Sequence, residues 1–176
     1  MGSSSLASIP TDIEDFIEHW RSIPKDNAVP CLRAFLDFPP FKLQSEVAIV
    51  DVNGPSEMRF RLFGTGLSWL AGVDLTGADV LSQFHKKART EASRIAWIAV
   101  NKPCGYILQR ELTRGSLRTN AIGVGLPLRH NQSGKIGLVG FSSTMEKQLH
   151  SAATESEVFV TGVRHLKWID IGTGLP

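Results

Sequence analysis

The sequence predicts an α+β domain: five antiparallel strands, with most of the helical residues gathered after the second strand. Three observations predict it. Val47–Val52 and Glu57–Phe63 read as strands separated only by Asn53-Gly54-Pro55-Ser56, the turn chemistry of a hairpin. A helical pattern then occupies Ala78 to Val100. Three further strand patterns follow, Cys104–Leu112, Leu117–Arg129 and Lys135–Met145, joined by turns short enough to imply antiparallel neighbours. Strand and helix do not alternate along the chain, which disfavours a doubly wound parallel sheet.

The elements follow in order. Pro10 to Ile23 is an amphipathic helix, with Ile13, Phe16, Ile17, Trp20 and Ile23 on one stripe at helical period. Thr11 and Glu14 have the spacing of a capping box, and Pro24 ends the helix. Two readings of the stripe stand side by side. It packs on its own domain, or Ile13, Phe16, Ile17 and Trp20 form a dimerisation face. Asn27 to Leu43 is irregular to helical, its helix confined between Leu32 and Phe38 by Pro30, Pro39 and Pro40.

In the hairpin, Val-Ala-Ile-Val-Asp-Val reads as a central strand, and Met58, Phe60 and Leu62 alternate against Arg59 and Arg61. Gly64-Thr65-Gly66 breaks the second strand, Leu67–Leu70 makes a short apolar turn, and Gly72 stops it before the loop Leu75-Thr76-Gly77. The long helical pattern carries Ala88, Ala92, Ile95, Ala96 and Ala99 on one stripe, a surface for close packing on a sheet. The strand Leu117–Arg129 has two unequal faces: Asn120, Ile122, Val124, Leu126 and Leu128 against Ala121, Gly123, Gly125 and Pro127. The small-residue face leaves room for a helix, a subunit or a ligand. Lys147–Ser156 reads as a linker, and Val158–Val163 and Leu166–Ile171 as two short extended segments. The chain thus divides into a tail (1–10), a helical extension (11–45), a core (46–146) and a C-terminal extension (147–176).

Composition narrows the function classes. The 176 residues are 42% hydrophobic and 20% charged, ordinary for a chain with a packed core. Net charge is +2 and the 19 basic residues are scattered, without a basic stripe interleaved with aromatics, so no nucleic-acid partner is expected. Cys31 and Cys104 stand far apart, outside any CxxC pair, and read as free thiols rather than a zinc site. No apolar run approaches the roughly 20 residues of a membrane helix. The N-terminus lacks a secretory pattern, and Leu6 stands where myristoylation wants Ser or Thr. A cytoplasmic protein with no membrane partner is expected.

The runs F-R-L-F-G-T-G-L from Phe60 and G-V-D-L-T-G from Gly72 resemble a bacterial PAS-domain family of α-proteobacteria, formerly known only as a domain of unknown function. G-L-P-L-R-H from Gly125 and D-I-G-T-G-L-P from Asp170 are similar to further stretches of that family, so the likeness runs from about His19 to the C-terminus. The resemblance implies a five-stranded sheet in the order 2-1-5-4-3. Helices from Leu67 to Val100 would cover one face and enclose a cleft. The N-terminal helix would lie on the other face or between subunits. It implies a non-catalytic sensory or regulatory module, a homodimer, that binds a small apolar ligand or a partner protein and transmits a conformational signal. The residues outside the core leave no room for a kinase, cyclase or DNA-binding output, so the output passes through a signalling partner. A ligand-free interaction adaptor with a filled core is the alternative, and a small-molecule enzyme the third reading.

Candidate chemistry is sparse. Gly64-Thr65-Gly66 fails as a dinucleotide loop, because the third glycine falls at Trp69 and no βαβ unit follows. Arg59 and Arg61 on a strand's polar face read as solvated or paired. His85 stands where haem-binding relatives place an axial ligand, but a lone helical histidine argues against haem, and the flavin photosensor cysteine motif is absent. The other histidines, His19, His130, His150 and His165, have no metal-ligand spacing. No G-x-S-x-G elbow occurs, so no catalytic residue is assigned. The expected pocket lining is Leu67, Trp69, Leu70, Phe84, Trp97, Tyr106 and Leu108, with Tyr106, Gln109 or Asn120 supplying polar groups. A cavity above roughly 300 Å³ would favour a ligand over a filled core.

Overall fold

The computed structural model describes residues 8–42, 44–143 and 157–176. Helix α1 spans Thr11–Ser22 and α2 Leu32–Asp37, before the hairpin of β1 (Val47–Gly54) and β2 (Glu57–Phe63). Helices α3 (Thr65–Ala71) and α4 (Lys86–Asn101) follow, then β3 (Gly105–Arg114), β4 (Leu117–Arg129), β5 (Ile136–Ser142) and β6 (Val158–Ile169). The strands form one antiparallel sheet in the order β2-β1-β5-β4-β3-β6. The expected α+β order 2-1-5-4-3 is present, extended at its edge by a sixth strand.

That strand corrects the reading of two short C-terminal segments. β6 pairs along the whole of β3, from Gly105 opposite Ile169 to Arg114 opposite Val158. Register shifts between Ile107 and Leu108, and again between Glu111 and Leu112, interrupt the ladder. A bulge resets the period-two alternation, so the apolar residues of β6 do not sit on one continuous frame in the sequence. The linker reading of Lys147–Ser156, and the end of the Lys135–Met145 pattern, lie outside the described residues.

Two local expectations also change. The capping box is not formed: Pro10 is the N-cap, with no side-chain cap, and its carbonyl accepts from the N–H groups of Ile13 and Glu14. Thr11 is therefore already inside the helix, one residue past the position from which its hydroxyl could cap. The helical pattern over Ala78–Val100 is broken in two, a 3₁₀ turn at Val80–Gln83 and α4. Asp79 caps the turn by accepting from Leu81 N–H at 2.9 Å, and His85 N–H donates to Val160 O at 2.9 Å on β6. That second bond diverts the backbone to the sheet edge before α4 begins.

The sheet is covered on both faces. On one, α1 turns Ile13, Phe16, Ile17 and Trp20 inward, into a cluster with Phe35, Phe41, Ile122, Val124, Leu126, Leu128 and Phe141. Phe16 stacks on Phe141 with ring centroids 5.1 Å apart, and Phe41 meets both edge-on. Trp20 Nε1 donates to Pro127 O at 3.1 Å. The four side chains offered for dimerisation are thus used within the chain, each no more than 8% exposed. The other face carries α3, the 3₁₀ turn and α4. Among the described residues no helix is long and apolar enough to cross a membrane.

Candidate functional site

The helical face of the sheet borders a partly open cavity of about 220 Å³. Its floor follows from strand alternation. On β3 the inward side chains are Tyr106, Leu108, Arg110 and Leu112, all in the cavity wall, while Ile107 belongs to the opposite core. Gly123 of β4 and Gly140 and Ser142 of β5 continue the floor with almost no side-chain volume. The roof is equally spare: Ala92 and Ala96 from α4, with Leu67, Leu70 and Ala71 from α3. Glycine floor under alanine roof leaves the space.

Helix α3 is held to the sheet by a joint with no slack. A Cβ at Gly64 would overlap the carbonyl oxygen of Ser45 and come within 2.8 Å of Val47 O, so the strand-to-helix turn closes only around glycine. Gly72 ends α3 at φ +76°, a left-handed C-cap. Between these ends, Leu67 and Leu70 face the cavity, whereas Trp69 points outward and is 71% exposed.

Leu67, Leu70, Phe84, Tyr106 and Leu108, five of the expected lining residues, do line the cavity. Three others are placed elsewhere. Trp69 lies on the outer side of α3, Trp97 packs with Ala99, Cys104 and Leu138 in a neighbouring cluster, and Asn120 is exposed near the start of β4. In a helix of 7 residues, Trp69 lies between Leu67 and Leu70 in sequence but on the opposite side of the turn. Gln109, named for a polar role, points away from the cavity and accepts from Arg164 Nη2 at 2.6 Å.

The polar part of the wall is different from the expected one. Arg110 enters from β3 and donates through Nη2 to the Ser142 hydroxyl on β5. A Cβ at Gly123 would stand 3.6 Å from Arg110 Nε and 3.5 Å from Ser142 Oγ, so the guanidinium lies over the bare backbone of β4. Glu46 and Gln83 complete the polar lining. Stepping two residues at a time along β3 from Tyr106 and Leu108 reaches Arg110 and was the available signal. A charged residue is an unusual guest on an inward face, so the alternation alone does not mark it as lining.

Tyr106 is the tunable group here. Its ring lies over Gly125, where a Cβ would overlap it, and burial pushes its pKa up to about 12, partly offset by the positive charge of Arg110. The thiol of Cys104 is buried and held above its ordinary pKa by desolvation, unsuited to nucleophilic chemistry. His85 is the N-cap of α4, exposed, with its ring 5.5 Å from that of Phe159 and outside the cavity wall. Arg61 pairs with Asp51 at 2.8 Å and Arg59 donates to Gly77 O at 3.3 Å, both on the solvent side of the hairpin. Among the described residues no cluster of three or more His, Cys, Asp or Glu could hold a metal ion.

A protein-family model described as a PAS domain matches residues 10–142. The match begins at the N-cap of α1 and ends with β5, so it takes in every element around the cavity except β6. No curated protein matches the chain.

Proposed function

The chain belongs to the PAS domain family, a family of sensory and regulatory modules, and on that footing we propose that it is a non-catalytic sensor whose cavity takes a small, largely apolar ligand. The observation that carries this is the cavity itself, about 220 Å³ between a glycine floor and an alanine roof. It falls short of the roughly 300 Å³ that by volume alone would favour a ligand over a filled core, and it excludes a drug-sized ligand. It is larger than the roughly 150 Å³ apolar cavity that admits benzene. The ligand is therefore compact, on the scale of one substituted ring or a short branched chain.

The proposed signal path is α3. Leu67 and Leu70 touch the cavity contents while Trp69, on the outer side of the helix, and Val73, just past its C-cap, are 71% and 51% exposed and meet a partner. A ligand that shifts α3 alters the surface the partner meets. The exposed pair also supports a second reading, an adaptor that uses the α3 surface with no ligand. A homodimer, on either reading, uses a surface other than the α1 stripe.

Thermal unfolding with toluene as the probe separates the readings. A rise in Tm that disappears in Ala92→Leu, which thickens the roof, supports the sensor. No rise at saturating toluene favours the adaptor. A haem or flavin band in the absorbance spectrum of freshly purified protein would replace both with a cofactor-based sensor.

A further inference from the structure

We propose that the ligand of this cavity is a small neutral carbonyl compound, an aromatic or branched ketone, aldehyde or ester, whose oxygen accepts a hydrogen bond from the Tyr106 hydroxyl. The inference rests on the ligand-binding reading above and names its substrate class.

Tyr106 stands in the cavity wall among groups that cannot satisfy it. The side chains that line the cavity and also belong to its cluster are Met58, Leu81, Ala96 and Leu138, none with an oxygen or nitrogen to offer. Among the described residues nothing hydrogen-bonds the phenol. Arg110, the cation whose field reaches it, is itself a donor and cannot accept its proton. A buried tyrosine hydroxyl usually has a partner, because an unpaired one in an apolar setting costs free energy. A lone water is a poor answer: a buried water makes about three hydrogen bonds, and these neighbours supply none beyond the phenol's own. Phenylalanine would fill the ring's space without that cost. The fold nevertheless makes room for the oxygen as well as the ring, since a Cβ at Gly125 would overlap both and β4 lies bare beneath the whole phenol.

The setting also selects among acceptors. Burial disfavours the phenolate and pushes the pKa up to about 12, so at ordinary pH the group is neutral and donates. The same burial disfavours a carboxylate set against it. An alcohol brings a second O–H, and a single phenol–alcohol pair always leaves one of the two protons without an acceptor. A carbonyl oxygen accepts and brings no donor of its own. Its apolar body then meets Met58, Leu81, Ala96 and Leu138.

The experiment is calorimetric titration of the full chain and of Tyr106→Phe with acetophenone, 1-phenylethanol and ethylbenzene, which share a skeleton and differ at one oxygen. Tyr106→Phe is expected to weaken acetophenone about five- to tenfold, to weaken 1-phenylethanol less, and to leave ethylbenzene unchanged. In the natural chain the infrared carbonyl stretch of bound acetophenone should lie below its value in hexane, and in Tyr106→Phe it should return to that value, a signature that packing alone does not produce. Without ligand, Tyr106→Phe should melt at an equal or higher Tm, since no hydrogen bond within the chain is lost. A lower Tm, equal losses of acetophenone and ethylbenzene, or a carbonyl stretch at its hexane value in the natural chain overturns the assignment of Tyr106 and leaves the sensor reading intact. An effect on 1-phenylethanol as large as that on acetophenone overturns the carbonyl class. Failure of acetophenone, ethylbenzene and toluene alike to bind overturns the sensor reading itself.

Discussion

The two faces of the sheet are built from the same strands and come out differently. Beneath α1, the β4 side chains are Ile122, Val124, Leu126 and Leu128, and three phenylalanines interlock with them and with Trp20. On the reverse of the same strand stand Ala121, Gly123 and Gly125, and the helices above offer alanines. A strand alternates its side chains by geometry, so one thirteen-residue segment specifies a filled face and a hollow one at once. The filled face stabilises the domain, and its partner face can give up packing energy to keep a void.

The contrast breaks most completely at the joint between them. Gly64→Val puts a branched side chain into the Ser45 and Val47 carbonyls, which are backbone and cannot step aside. No folded protein is expected, measured as loss of a cooperative thermal transition. A stable, folded Gly64→Val protein would mean that α3 is not anchored through that turn.

Next in size is a matched pair of truncations. Phe16→Ala, at a fully buried position on the filled face, should cost about 3–5 kcal/mol in denaturant unfolding. Leu70→Ala, in the cavity wall, should cost about 2 kcal/mol, since the side chain already has empty space on one side and fewer contacts to lose. Equal costs would show that the two faces are packed alike. The cavity would then be filled in solution.

A pH dependence comes from the hollow face. Tyr106 is the sole tyrosine of the chain, so its titration can be followed alone by difference absorbance. Its folded pKa is about 12, above the roughly 10 of an unfolded chain. The raised value means that the folded state holds its proton more tightly. The associated stability is complete below pH 10 and lost as pH climbs from about 10 to 12, up to about 3 kcal/mol. A midpoint near 10 in the native protein would show that the cavity side of β3 is open to bulk water.

How much of this was legible in the sequence differs between the faces in the same way. The α1 stripe, the hairpin, the alanine stripe and the unequal faces of β4 are periodic signals, and periodicity reports packed surfaces directly. The cavity was legible only as small residues, which serve equally well to admit a helix. Trp69 and Trp97 lie on the helices expected to cover the sheet, but membership of a covering helix does not say which side of it a residue takes: Trp69 turns outward and Trp97 packs in a neighbouring cluster. Arg110 ran the other way, a charge on an inward face whose reason exists only in three dimensions, with Ser142 thirty-two residues later in sequence. β6 stayed hidden for a related reason, because bulges in its ladder erase the alternation that marks a strand.

The smallest expected change in stability bears most directly on function. Gly123→Ala adds a methyl whose nearest neighbours would lie 3.5–3.6 Å away, ordinary van der Waals contact, so stability should move by less than about 1 kcal/mol. The same methyl fills floor space beside Leu108, Arg110 and Ser142 and so takes volume from the cavity. Toluene binding should therefore weaken severalfold at nearly constant Tm. If binding were unchanged, the glycine floor would be a packing accommodation for α4 and the ligand space would have to lie farther toward α3. If Tm instead fell by many degrees, Gly123 would be structural, and the hollow face would be as tightly specified as the filled one.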